Sequence, residues 1–286
     1  MTKWKRIAGI TLVASAAIGS LIGAVVVYAG LYNISATEQH TAFVYQLLEI
    51  SMRRSVKLRT TGITAPPLDD TNRTVNGFRH FQAHCIQCHG APGIAPQPFA
   101  LGLTPAPSPL VATAKSLPAA DIYWIIRNGI KMSGMPAWQY RLSDKEIWDV
   151  VAFLKVLPSL TPADYQTWRG RYPLKQTQPE NAQTSPSAKV RLGDVSAGKK
   201  ALQQHLCITC HVIPGVVGPN RLIGPPLAGI ASRQYIAGVL PNTPENMVRW
   251  IRNPTEVDPL TAMPDLNVSE QDAHDIAAFL STLREQ

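Results

Sequence analysis

Uncharged positions run unbroken for 26 residues from Ile7 to Tyr32, preceded by Lys3, Lys5 and Arg6 and followed by Glu38 as the next charge. In a helix such a run rises roughly 39 Å, enough to cross a ~30 Å hydrocarbon core with some tilt. It predicts a transmembrane helix. A cleaved leader has an apolar region of only ~7–15 residues. This one continues to Val27-Tyr28-Ala29, a triplet that resembles a peptidase site, before any cut could fall. The segment is therefore expected to remain as an anchor. Cations on its short N-terminal side predict that end in the cytoplasm and the rest of the chain outside, in a bacterial periplasm. Gly19 and Gly23 form a small-xxx-small pair within the span, spacing that lets membrane helices approach closely.

Beyond the anchor, Tyr45, Leu48, Met52 and Val56 recur at helical spacing, and Arg53, Arg54, Lys57 and Arg59 crowd the end of the same stretch. Glu38 to Arg59 thus predicts an amphipathic helix that serves as a stalk, lies on the membrane surface or docks on a partner. Two later stretches, Leu142 to Leu157 and Val268 to Leu283, align at an offset of 126 residues: Ser143 with Ser269, Asp149 with Asp275, Ala152 with Ala278, Phe153-Leu154 with Phe279-Leu280. Each opens with a helix-capping signature, Ser143-x-x-Glu146 and Ser269-x-x-Asp272. A repeat of this length signals duplicated domains, since solenoid units are ~20–50 residues. Pro158 to Leu192 and Thr60 to Thr74 carry no sustained apolar periodicity and read as linkers. The expected order is a cytoplasmic tail and anchor in 1–37, a stalk and linker in 38–74, one domain in 75–158, a linker in 159–192 and a second domain in 193–286.

Composition narrows the class. Across 286 residues, 45% are hydrophobic and 16% charged, which excludes a disordered or fibrous chain. Four cysteines are too few for a disulfide scaffold. The net charge of +8 is spread out, with +3 in 1–37, +1 in 38–74, +3 in 75–158, +3 in 159–192 and −2 in 193–286. A nucleic-acid binder gathers its Lys and Arg along one element, so no nucleic-acid partner is expected.

The four cysteines form two Cys-x-x-Cys-His motifs, Cys85-Ile86-Gln87-Cys88-His89 and Cys207-Ile208-Thr209-Cys210-His211. Two thiols three apart lie on one side of a helical turn with the adjacent imidazole. That suits thioether attachment of both haem vinyl groups, with His89 and His211 as proximal iron ligands. A zinc site assembled from four cysteines is the rival arrangement. It is disfavoured because each pair has its own trailing His and its own downstream Met-Pro step. A thiol redox pair of the thioredoxin kind would need a βαβ pattern, which is missing. Met135 and Met263 lie 46 and 52 residues after their histidines, each before a proline. Proline forces extended backbone at the preceding residue, holding the thioether on a loop, so these two are the expected second axial ligands. Met132 competes with Met135, Met52 sits on the stalk, and Met247 is expected to be packed. His40, His80, His84, His205 and His274 have no ligand spacing to a second cluster and read as solvated or packed.

With these motifs in hand, both domains resemble class I c-type cytochromes. That resemblance implies an all-α fold: a transmembrane helix followed by two tandem class I cytochrome c domains, each with its first and last helices packed across each other beside a haem. Gly77-Phe78-x-x-Phe81 and Gly198-Lys199-Lys200 look like the family's first helix, and Phe153 and Phe279 like contact residues of its last. The second domain, through Gly224-Pro225-Pro226-Leu227, Ser232-Arg233, Trp250-Ile251-Arg252-Asn253-Pro254 and Met263-Pro264, resembles the haem c domain fused to subunit II of some haem-copper oxidases. The resemblance implies that the Pro225 carbonyl accepts a hydrogen bond from His211 and that Arg233 and Trp250 bind haem propionates. The first domain's counterpart of Pro225 is left between Pro105 and Pro107. Two covalently attached haems c are implied. So is electron transfer from a quinol:cytochrome c oxidoreductase, a dehydrogenase or a soluble cytochrome towards a terminal oxidase, by a free carrier or a fixed subunit of a larger complex. A di-haem enzyme such as a peroxidase is the rival of another class; it needs an accessible iron, whereas each domain here retains a Met-Pro.

Overall fold

The computed structural model describes residues 3–38, 40–174, 193–218 and 223–284. The chain divides into two compact units, residues 1–138 with 144–173 and residues 139–143 with 174–286. Both are helical, with a single two-stranded ladder among the described residues.

The apolar run forms α1 (Lys3–Tyr28), the described helix long and apolar enough to cross a membrane. It starts and stops four residues earlier than the uncharged run because its end is set by Gly30 at φ 65°. There Gly30 N–H donates to the Val27 carbonyl and Leu31 N–H to the Val26 carbonyl, a pairing that closes the last turn through a left-handed residue. α2 (Ala42–Thr60) follows, capped by the Thr41 hydroxyl, which accepts from Val44 N–H.

The first haem-motif unit is built on a crossing of α3 (Thr71–His80) and α7 (Asp144–Val156). Asp70 caps α3, accepting from Asn72 N–H at 2.7 Å, so residues 70–74 belong to this unit and not to a linker. A π-helical turn, Phe81–Cys85, carries the chain into α4 (Ile86–His89). The short α5 (Leu110–Ser116) and α6 (Ala119–Asn128) pack on α7. Val56 and Thr60 of α2 are buried as well, with the Thr60 hydroxyl donating to Asp121 of α6 at 2.7 Å. The C-terminal end of the stalk is therefore docked on this unit.

The linker expected over 159–192 begins as structure. α8 (Pro162–Arg171) has a full capping box between Thr161 and Asp164. Its Tyr165 is fully buried, and Trp168 meets Phe78 edge-on with ring centroids 5.4 Å apart. Tyr165 and Trp168, one turn apart, are its inward-facing aromatic residues, so the helix lacks a long apolar period and hides from pattern reading. The linker residues 175–192 lie outside the described residues.

The second unit repeats the crossing with α9 (Val195–Gln204) and α12 (Glu270–Leu280). Between them come β1 (Tyr235–Ile236) antiparallel to β2 (Leu240–Pro241), then α10 (Pro244–Arg252) and α11 (Pro254–Val257). Its core joins Leu202, Ile230, Ile236, Met247, Trp250, Ile276 and Phe279, among others. Each such side chain contributes ~1.5–3 kcal/mol by leaving water.

Candidate functional site

Glycine sets how closely the helices cross. A Cβ on Gly77 would stand 1.8 Å from the Asp149 carbonyl oxygen, and one on Gly198 would stand 1.9 Å from that of Asp275. Backbone thus touches backbone at both crossings, and the Cys-x-x-Cys-His segment leaves each crossing at a fixed place.

In the first motif Cys85 closes the π-helical turn, Cys88 and His89 lie on α4, and Gly90 at φ 64° ends α4 directly after His89. In the second, Leu206 at φ 59° breaks the chain between α9 and a short 3-10 turn, Cys207–Thr209. All four cysteines are unbridged. Burial pushes the Cys85 thiol up to about 12, and Cys88 beside it adds to the rise. Burial likewise pushes Cys207 up to about 11.

The histidines are oriented alike. His89 Nδ1–H donates to the Ser108 carbonyl at 2.8 Å, and His211 Nδ1–H donates to the Pro225 carbonyl at 2.8 Å. A carbonyl only accepts, so Nδ1 holds the proton and Nε2 keeps a bare lone pair for a metal. In the first unit the acceptor is Ser108, and neither Pro105 nor Pro107. Burial lowers the His89 pKa and so favours the neutral ring, an effect partly offset by this bond, which raises it. Behind His211, a Cβ on Gly224 would stand 2.4 Å from Cε1 and 2.7 Å from Nδ1. Only glycine lets the backbone lie against that ring.

The Met-Pro loops share a device the sequence reading overlooked. Met135 N–H donates to the Ser133 hydroxyl and Met263 N–H to the Thr261 hydroxyl, each at 3.2 Å. The signal was present as Ser133-x-Met135-Pro136 and Thr261-x-Met263-Pro264. Ile130 N–H also donates to the Met135 carbonyl at 3.2 Å. Gly129, at φ 66°, leaves room where a Cβ would come within 2.7 Å of that oxygen. Met135 and Met263 are half-buried, whereas Met132 is 82% exposed. Met263 packs on the same core cluster as Cys207 and Leu227.

Arg233 Nη2 donates to the Pro226 carbonyl at 2.6 Å and the Ala228 carbonyl at 3.2 Å. It ties down the loop that carries Pro225. Trp250 is a buried core residue of α10. Among the remaining histidines, His205 is buried and its Nε2 lies 3.1 Å from Asp272 Oδ2. His80 faces Glu146, and the His84 ring lies 5.0 Å from that of Trp138.

Two thiols, an imidazole with a free Nε2 and a half-buried thioether in each unit are the donor set a c-type haem requires. The glycine cradle behind His211 fits a ring held rigidly for ligation.

Residues 72–154 match the family model described as cytochrome c oxidase, cbb3-type, subunit III, and residues 195–284 match that of cytochrome c. Part of the chain is also similar to cytochrome c oxidase subunit 2 of Alkalihalophilus pseudofirmus, 32% identical over 88 residues. That match spans 30% of this chain and 25% of the relative.

Proposed function

Because the chain carries two cytochrome c-type domains, we propose that it is a di-haem electron carrier anchored by α1, with both domains on the periplasmic side of a bacterial inner membrane. The observation that carries this reading is the pair of histidines, each with Nδ1–H fixed on a backbone carbonyl and each with its own Met-Pro loop. Cys85 and Cys88, and Cys207 and Cys210, would hold one haem each through thioether bonds. His89 with Met135, and His211 with Met263, would ligate the two irons. A bound haem supplies one-electron chemistry at its iron.

The chain's own residues do the rest. Ser108 and Pro225 fix the tautomer and plane of the imidazoles, which raises their basicity. Ser133 and Thr261 hold the thioethers in place, and a thioether ligand raises the potential relative to a second imidazole. Arg233 holds the Pro225 loop, and with Trp250 it is placed in the domain that would house the second haem. A histidine and a methionine available to each iron would leave it no open position, which favours a carrier over a peroxidase.

The electron acceptor under this reading is a terminal oxidase. The donor is a quinol:cytochrome c oxidoreductase, a dehydrogenase or a soluble cytochrome. Similarity to an oxidase subunit supports the direction, and it equally supports a fixed subunit of such a complex; co-purification in mild detergent separates the two. The decisive test is reoxidation of the purified, reduced protein. Rapid reoxidation by oxidase with slow reoxidation by oxygen or peroxide alone is expected. Saturable peroxide turnover at ordinary enzymatic rates of ~1–1,000 per second would overturn the carrier reading.

A further inference from the structure

α2 has two faces of different fate. One turns Val56 and Thr60 into the first unit, where the Thr60 hydroxyl meets Asp121. The other carries Phe43, Leu47, Ile50 and Leu58 at helical spacing, exposed by 74%, 54%, 58% and 72%. Arg54 and Lys57 lie on this same stripe and are exposed. An amphipathic surface helix needs one apolar face. A second, uncovered stripe of this length marks an interaction surface.

We infer that the exposed stripe of α2 lies on the bilayer, with Phe43, Leu47, Ile50 and Leu58 among the lipid headgroups and Arg54 and Lys57 on anionic lipid phosphates. This rests on α1 being a membrane anchor. Thirteen residues separate Tyr28 from Ala42, a connection that cannot exceed about 50 Å even fully extended. It is not extended: Tyr32 Oη lies 2.6 Å from His40 Nδ1, and the Thr104 hydroxyl donates to the Ala36 carbonyl at 3.2 Å. The stripe is therefore leashed close to the point where α1 leaves its apolar run.

Charge selects the occupant. Glu38 lies before the helix, and the helix's own acid, Glu49, is neutralised by Arg53 at 2.6 Å. The stripe itself presents only cations. Protein interfaces deplete lysine at their centres, whereas phenylalanine, leucine and isoleucine framed by Lys and Arg are the composition of helices that lie in a membrane surface.

The test uses the full-length, haem-loaded protein in vesicles of phosphatidylethanolamine and phosphatidylglycerol. A photoreactive residue is placed by Leu47→p-benzoylphenylalanine, with Val13→p-benzoylphenylalanine in α1 and Lys115→p-benzoylphenylalanine on α5 as references, and adducts are weighed by mass spectrometry. Phospholipid adducts are expected at positions 47 and 13 and none at 115. The adduct at 47 should fall at least about threefold when phosphatidylcholine replaces phosphatidylglycerol or when Arg54→Glu is combined with Lys57→Glu. Lipid at position 13 with none at 47 overturns the inference and leaves the anchor standing. No lipid at 13 overturns the anchor reading and this one with it. A polypeptide adduct at 47 overturns it in favour of a protein partner or a second copy, and a yield indifferent to lipid charge overturns the anionic assignment.

Discussion

The two haem-motif units build the same helix crossing and finish it differently. In both, a glycine lets an aspartate's backbone in, Gly77 against Asp149 and Gly198 against Asp275. Both carboxylates are buried, at 1% and 2% exposure, and the described partners of each are placed differently. Asp149 is held by cations, Arg73 at 3.3 Å and Lys145 at 3.1 Å. Asp275 accepts neutral donors, the backbone N–H of Asp194 at 2.8 Å and the Gln271 amide at 3.0 Å. The entry to the motif also differs, a π-helical turn in one and left-handed Leu206 in the other. So does the buttress. α8 covers the first motif's flanks, with Pro162 against Gly93 and the Gln82 amide on the Tyr172 carbonyl. In the second unit a β1–β2 ladder and α10 fill out the core instead. Backbone approach, histidine orientation and methionine loop are shared, as the proposed ligation would require, because a ligand set admits little variation in geometry. The polar fittings and outer cover diverged because many side chains can fill the same volume.

Tyr165 belongs to one unit alone, and its removal should have the largest effect. Tyr165→Ala should cost about 3–5 kcal/mol and lower protection of the Phe78 amide in native-state hydrogen exchange while leaving Leu202 unchanged. Equal loss at both sites would mean the units do not unfold independently. Removing what both share should act symmetrically. Gly77→Ala and Gly198→Ala should each cost roughly 2–3 kcal/mol, read at the same two amides; a clear inequality would show that the crossings are not equivalent.

The ligand loops should separate the units by potential. Met135→His and Met263→His should each lower one midpoint by on the order of 0.1 V, within the ~0.8 V that axial ligands span, and keep that haem low-spin. A variant that moves neither midpoint would remove that methionine from the ligand set. The buried carboxylate of the first unit comes next. Asp149→Asn weakens its pairs with Arg73 and Lys145 and should cost about 2 kcal/mol, read by native-state hydrogen exchange at the Phe78 amide.

The smallest effect is the pH response of Tyr165. Burial pushes its hydroxyl up to about 12, above the ~10 of an unfolded chain. The folded state therefore binds the proton more tightly, and stability it contributes below pH ~10 is lost as pH rises towards ~12. Tyr165→Phe should be near neutral at pH 7 and should flatten this alkaline decline in the first unit alone.

How much was legible can be read from particular residues. The two Cys-x-x-Cys-His motifs stand out in the sequence because their spacing is local. The stalk helix was placed to within a few residues, but its docking through Thr60 on Asp121 was not, because those residues are far apart in the chain. Ser133 and Thr261 were readable from the repeat and passed over because hydroxyls two residues before Met look like ordinary loop residues. α8 announced its start through Thr161-x-x-Asp164, but two aromatic residues do not make a periodic pattern.

The apolar run, the duplication, the paired thiols and imidazoles and the Met-Pro steps are written in the order of residues, since each is a property of the chain itself. Packing in three dimensions makes Ser108 the acceptor of the His89 hydrogen bond, closes Tyr165 over Phe78 and Phe81, and brings Arg73 to Asp149 and the Asp194 N–H to Asp275. Those outcomes depend on which distant groups packing brings within hydrogen-bond reach. Several loop carbonyls or side chains of equal chemical merit were available, and the path of the chain through the core selected among them.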